Sequence, residues 1–320
     1  MKRLGGMRVG MLLLAAAALP GIASRAGAAE TVRIGTPAAE PYIFSLLNVG
    51  ADAGIFQKHG IDLRRIDFAG GGKVGQGLTS GSIDMALSGS TDLVFIAKGL
   101  PAKAVANMLS APVDMAIIAR PDPGHPGVDR LKGKIIVVTT ATSLTAWLAE
   151  DFARHEGWGP GGVKPAPIGA VSASVAALRT GNIDAFVGPT EAGYALEAKG
   201  EALPLVTFGY LHDFITHILY ARDSLIAAHP ETVRAVVAAW FDTVKFARAH
   251  KGETIRLSRR VTKASPAIAE KVYDEQTPAL SSDGRFEQKA LAAVAQSFVD
   301  LHLVATPPVL NELYTEKFLP

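Results

Sequence analysis

The segment LTSGSIDMALSGSTD beginning at Leu78 recurs 100 residues later as LRTGNIDAFVGPTEA beginning at Leu178, and this repeat constrains the fold of the 320-residue chain more than any other feature. Leu, Gly, Ile and Asp coincide at Leu78/Leu178, Gly81/Gly181, Ile83/Ile183 and Asp84/Asp184, and a hydroxyl stands for a hydroxyl at Ser80/Thr180 and Ser90/Thr190. In each copy the glycine reads as a helix stop, the β-rich run IDMALSG or IDAFVG as a strand, and the hydroxyl-bearing turn after it as the start of another helix. Two units of one construction are therefore expected, and the length accommodates them.

The rest of the chain follows the same grammar. TVRIG at 31–35 reads as a strand, YIFSLLNVGADAGIFQKHG as a helix ending at Gly60, and IDLRRIDFA as a second strand before the glycine turn GGGK and a short helix. GKIIVVTTATSLTAWLAEDFARHEGW and VKPAPIGAVSASVAALRTG each read as strand, turn and helix, the pattern of a mostly parallel sheet covered by helices. A second echo lies outside the repeat: MAIIARPD at 115–122 and HILYARDS at 217–224 are both β-rich and end in Ala-Arg, so they are expected to be the strands by which the chain enters and leaves the second unit. After Ser224 the spacing of Val233, Val236, Val237, Trp240, Phe241 and Val244 predicts a core-facing helix. The tail NELYTEKFLP is a further candidate helix.

The first residues are set aside. Lys2, Arg3 and Arg8 precede an eleven-residue apolar run at 9–19, and Pro20, Gly21 and the small residues Ala26 and Ala28 follow, the layout of a secretory signal peptide spanning 1–28. Such a run is too short to span a bilayer, which needs ~20 apolar residues. Its removal takes away four cations and no acid, moving the formal charge from +2 to −2. No basic stripe remains for nucleic acid. The chain has no cysteine, which excludes disulfides, thiolate metal sites and a nucleophilic thiol. A periplasmic location is expected.

In an open α/β sheet, ligands bind beyond the carboxyl ends of the strands, where helix N-termini present free amides. That rule nominates EPYI around Tyr42, GGGK at 70–73 and SGST at 88–91 in one unit, with TTATS at 139–143, AVSAS at 170–174 and GPTE at 188–191 in the other. GGGK lacks the GxxxxGK[ST] spacing of a phosphate loop, so Lys73 reads as a solvated lysine. The eight histidines are scattered without a catalytic motif, and Asp84 and Asp184 read as capping or turn residues. Asp92 and Glu191 fall in first helical turns at the cleft, where they are either dipole-favoured acids or partners for an amine on a ligand. Tyr42 and Trp147 are candidates to face an aromatic ligand. No catalytic residue, metal or cofactor is expected.

The stretch from GADAGIFQKHGIDL to GSIDMALSGSTD, with LKGKIIVVTTATSLTAWLAEDFARHEG, resembles the substrate-binding proteins of ABC importers for nitrate, taurine and alkanesulfonates over nearly the whole chain after the leader. The resemblance implies a type II periplasmic-binding-protein fold, two α/β lobes joined by two crossing strands, with 29–116 and 218–320 forming lobe 1 and 117–217 lobe 2. It implies a monomer that closes on a small polar or anionic molecule and presents the shut form to the permease subunits of an ABC transporter, touching the membrane only through that complex. Binding positions carried over by the resemblance are Pro41, Tyr42, Gly71, Gly72, Ser90, Thr91, Thr142, Ser143, Ser172, Thr190 and Glu191. Several sulfonate-binding relatives have a histidine in the turn corresponding to TSLTAW; Thr145, Ala146 and Trp147 supply none. The alternatives are an enzyme on the same fold, of the pyrimidine-synthesising or menaquinone-pathway type, and a sensory solute receptor.

Overall fold

The computed structural model describes Met1 and residues 29–320, so the expected signal peptide lies outside the described residues. In chain order the elements are β1 (Glu30–Thr36), α1 (Tyr42–Asp52), α2 (Ile55–Lys58), β2 (Ile61–Asp67), α3 (Gly71–Ser80), β3 (Met85–Gly89), α4 (Leu93–Ala97) and β4 (Ala102–Ser110). They continue with β5 (Met115–Ala119), β6 (Ile135–Val138), α5 (Leu144–His155), β7 (Lys164–Pro167), α6 (Val171–Arg179), β8 (Ala185–Pro189), α7 (Thr190–Glu197) and β9 (Leu203–Thr207). β10 (Ile215–Arg222) leads to α8 (Asp223–Ala228), α9 (Pro230–Ala249), α10 (Lys251–Thr262), α11 (Pro266–Gln276) and α12 (Gln288–Asp300). No helix among the described residues is long and apolar enough to cross a membrane.

The strands form two five-stranded sheets of one topology, β2-β1-β3-β10-β4 and β7-β6-β8-β5-β9. In each, three parallel strands are followed by one antiparallel strand, and that strand is one of the Ala-Arg echoes. β10 runs against β3 with Ala221 opposite Met85 and His217 opposite Gly89, while β5 runs against β8 with Ala119 opposite Ala185 and Met115 opposite Pro189. The echo therefore marks the same place in two sheets. The boundaries expected at 116/117 and 217/218 fall inside β5 and inside β10.

The repeat itself is a helix stop and a strand start, as its residues predict. Gly81 and Gly181 sit at φ 73° and 77°, where a β-carbon is strained, and end α3 and α6 with matching bonds, Ser82 N to Gly77 O and Asn182 N to Ala177 O. Arg222 and Arg120 fold over these glycines: a Cβ on Gly81 would lie 3.0 Å from Arg222 Nη1, and one on Gly181 2.8 Å from Arg120 Nη1. The aspartates correct the capping expectation. Asp84 accepts from Arg33 N, Nε and Nη2 at 3.0, 2.9 and 2.7 Å and from Arg222 Nη2 at 3.0 Å, tying β1, β3 and β10 together. Among the described residues Asp184 has only Lys134 Nζ, at 3.7 Å, both half-exposed.

Two further expectations are corrected. The helix drawn from Tyr42 to Gly60 breaks at Gly54, whose φ of 72° is left-handed, giving α1 and α2. The tail forms a single 3-10 turn at Leu310–Glu312 and an isolated bridge between Tyr314 and Ala104 on the edge strand β4. The apolar stripe of α9 behaves as predicted: Val233, Val236, Val237, Trp240, Phe241 and Val244 are all buried in the first lobe's core, each side chain contributing ~1.5–3 kcal/mol on burial.

Candidate functional site

Both sheets direct the cleft ends of their central strands at one cavity. One wall carries Pro37, Ala38, Pro41, Phe44, Gly71, Ser88, Gly89, Asp92 and His217, and the other Asp114, Met115, Thr139, Ser143, Leu144, Thr145, Val171, Val187, Gly188 and Pro189. The volume open to water is about 60 Å³, room for several water-sized groups. Around it the jaws meet at the glycine turn and at the end of β3: a Cβ on Gly70 would lie 2.8 Å from Thr140 Cγ2, and one on Gly89 3.0 Å from Leu144 Cβ. Backbone without side chains on one jaw thus admits the threonines and leucine of the other.

Glu191 joins the lobes. It opens α7 in the second lobe, and its Oε1 accepts at 2.7 Å from the backbone N–H of Tyr42, the first residue of α1 in the first lobe. No side chain of α1's own N-cap, Pro41, serves that helix start. A carboxylate from across the cleft therefore satisfies one of its free amides. Burial pushes the Glu191 carboxyl up to about 7, against the lowering effect of its own and the Tyr42 N–H groups. Thr190 beside it accepts from Gln276 Nε2 at 3.0 Å, and the Tyr42 hydroxyl is 2.8 Å from Thr277 Oγ1, so α11 and its end close this joint from behind.

The cavity floor is acidic. Asp92 accepts from Ser88 Oγ at 2.5 Å through Oδ2, while Oδ1 is buried without a partner among the described residues. Burial pushes this carboxyl up to about 7, with Ser88 and the nearby His217 opposing. It lies against the N-terminus of α3: a Cβ on Gly71 would fall 2.4 Å from Oδ1 and 2.6 Å from Oδ2, so only glycine fits this approach. His217 Nε2 is 2.7 Å from Asp114 Oδ2, both side chains at most 5% exposed. His217 Nδ1 and Asp114 Oδ1 remain without partners among the described residues. Asp114 precedes β5 and His217 lies near the start of β10, so the pair spans the two crossings between lobes.

The residues expected at the site divide accordingly. Pro41, Gly71 and Ser143 line the cavity. Ser143 also caps α5, accepting from Ala146 N and donating to Thr140 O at 2.7 Å. Tyr42, Thr190 and Glu191 form the joint behind it. Ser90 and Thr91 are buried beneath the wall with hydroxyls lacking partners among the described residues. Gly72 and Thr142 border a different, outer groove together with the exposed Lys73. Ser172 is exposed, and its neighbour Val171 takes the position on the cavity wall. Trp147 is turned away from the cavity, stacked on Phe214 with ring centroids 4.3 Å apart and its Nε1 donating to Asp300, so it does not face a ligand. Asp114 and His217 were not singled out by the sequence. The available signal was their place beside the cleft ends of the two echo strands.

A family model described as NMT1/THI5 like matches residues 43–254. No curated protein matches the chain. Among solved structures, the alkanesulfonate-binding protein SsuA from Xanthomonas axonopodis pv. citri, bound to MOPS, is 18% identical with a TM-score of 0.77, over 89% of this chain and 98% of that one. The periplasmic aliphatic sulphonate binding protein SsuA from Escherichia coli is 18% identical with a TM-score of 0.73, over 90% and 92%. The desulfurization enzyme DSZB is 17% identical with a TM-score of 0.65, over 90% and 97%. At these identities the likeness speaks for the fold, which is that of the periplasmic binding proteins and also carries an enzyme.

Proposed function

The chain belongs to the NMT1/THI5-like family, and from that premise we propose that it is an extracytoplasmic solute-binding protein that captures one small molecule between its lobes and delivers it to an ABC importer. The observation that carries this reading is the cavity itself. It is walled by the strand ends and helix starts of two topologically equivalent sheets, and the jaws are bridged by Glu191 capping α1. Contacts from both lobes to one ligand favour the shut arrangement, and that shut surface is what permease subunits would read. The two jaws, one built on the sheet β2-β1-β3-β10-β4 and the other on β7-β6-β8-β5-β9, act as the halves of a monomer, exported by the signal peptide to the periplasm. Sulfonate, nitrate and taurine are the ligand classes that the family resemblance suggests.

An enzyme on this fold is the competing reading. The chain lacks cysteine, and the buried His217 ring hydrogen-bonds to Asp114 alone among the described residues, so no hydroxyl is hydrogen-bonded to it as an activated nucleophile would be. The deciding experiment incubates purified protein with a metabolite extract, desalts it, releases bound compounds in acid and identifies them by mass spectrometry. One compound recovered intact near one equivalent is expected. Catalytic conversion of a compound in the extract would overturn the reading.

A further inference from the structure

One helix N-terminus that an oxyanion would seek is taken, and another is screened, by the chain's own carboxyls. Glu191 caps α1 from the opposite jaw, and Asp92 crowds Gly71 at the start of α3 without bonding to its amides. The cavity lining contains no lysine or arginine. What it does contain is unpaired polar atoms: Asp92 and Asp114 are 6% and 1% exposed, and neither Oδ1 has a hydrogen-bond partner among the described residues, nor has His217 Nδ1, which accepts or donates according to the ring's tautomer. An unpaired buried acceptor is costly until a donor reaches it, and a carboxylate accepts most strongly from a charged one. A sulfonate or nitrate offers only further acceptors and would add a negative charge to a floor that holds two carboxyls. The remaining wall is apolar, with Pro37, Phe44, Leu144, Val171, Val187 and Pro189.

We propose that the cleft selects a compact organic cation, an amine or amidine on a largely apolar body, whose N–H groups reach Asp92 and Asp114, and that it discriminates against free oxyanions. This assignment rests on the solute-binding reading and narrows its ligand class away from the sulfonates. Asp92 and Asp114 are then the specificity-determining residues. His217 is a positioning residue, holding Asp114 through Oδ2 so that Oδ1 is left for the ligand.

Isosteres of opposite charge test it. Calorimetric titration and thermal shift of the full mature chain at pH 8 compare acetamidine with acetate and benzamidine with benzoate, with methanesulfonate as the sulfonate probe. Each amidine is expected to bind at least tenfold more tightly than its carboxylate partner and than methanesulfonate. Asp92→Asn should shrink the amidine-to-carboxylate ratio at least tenfold. Asp114→Asn serves as the second variant should Asp92→Asn melt early. An anion binding more tightly than its amidine, or a ratio unchanged in both folded variants, overturns the cation assignment while leaving ligand capture intact. No probe of either charge binding overturns the cation assignment; if the metabolite extract also yields no bound compound, the solute-binding reading falls with it.

Discussion

Replacing Glu191 by glutamine separates the charge of the lobe joint from its hydrogen bond. The glutamine carbonyl can still accept from Tyr42 N, the bond seen at 2.7 Å, but it cannot ionise. In the wild type, burial raises the carboxyl from 4.5 to about 7. A raised carboxyl means that, between those two values, the folded chain keeps a proton that the unfolded chain has released. The stability from this group is therefore fully present below pH 4.5 and is lost as pH rises through about 7. A rise of roughly two and a half pH units at 1.36 kcal/mol each makes the loss ~3 kcal/mol. Asp92 is raised in the same direction, so the wild type alone would mix two titrations, whereas the difference between Glu191→Gln and wild type isolates one. Urea unfolding at pH 5, 6, 7 and 8 is expected to show the variant near parity at pH 5 and more stable than wild type by ~2–3 kcal/mol at pH 8. A difference that stays flat across that range would refute the reasoning, because the carboxylate would then be as well solvated in the fold as outside it.

Three other perturbations test separate parts of the structure. Gly71→Ala places a Cβ 2.4 Å from Asp92 Oδ1, whereas Gly72→Ala places one no closer than 3.4 Å to Thr140 Oγ1; thermal melts should show the first destabilised by ~1–3 kcal/mol and the second by less. Trp147→Ala empties a buried position stacked on Phe214 and should cost ~3–5 kcal/mol in chemical unfolding, an outcome that a ligand-facing tryptophan would not produce. Asp84→Ala removes an acceptor shared by Arg33 and Arg222 and should cost ~1.5–3 kcal/mol, while Asp184→Ala, facing one half-exposed lysine at 3.7 Å, should cost under ~1 kcal/mol. Equal losses at the two repeated aspartates would contradict the geometry. Burial opposes ionisation of Asp84 but the Arg33 bonds outweigh it and hold its carboxyl low, so its contribution should persist at neutral pH and fade only in acid.

Much of the architecture could be read from sequence because it depends on local rules obeyed twice. A left-handed residue must end α3 and α6, and glycine is the side chain that sits there without strain. Strands buried on both faces need largely apolar runs, and MALSG, MAIIA and ILYA provide them. The break at Gly54 was hidden because apolar spacing continues on both sides of it. The edge strands β4 and β9 were not assigned from sequence, and the tail's bridge to β4 depends on a partner some 200 residues away, while the orientation of Trp147 depends on Asp300, 153 residues on, and on Phe214. Contacts of that kind have no local signature.

The chemistry of the cleft follows a different logic, and the repeat shows why. Positions that carry the fold agree between the copies: Gly81 with Gly181, Ile83 with Ile183, Ala221 and Ala119 at matching places against β3 and β8. Positions that carry the site disagree. Thr91 answers to Glu191, Asp92 to Ala192, and His217, opposite Gly89, answers to Met115, opposite Pro189. A duplicated frame makes two similar jaws, but a ligand without twofold symmetry needs them to differ where they touch it. Divergence between the copies at the cleft ends of the central strands therefore points to Asp92, Glu191 and His217 more directly than any motif search, which sees an isolated acid or histidine and finds no pattern around it. Asp114 follows at once, since it precedes β5 at the crossing and meets His217 at 2.7 Å. On the proposed function, the residues that distinguish the two halves are the ones that would decide what the cleft accepts.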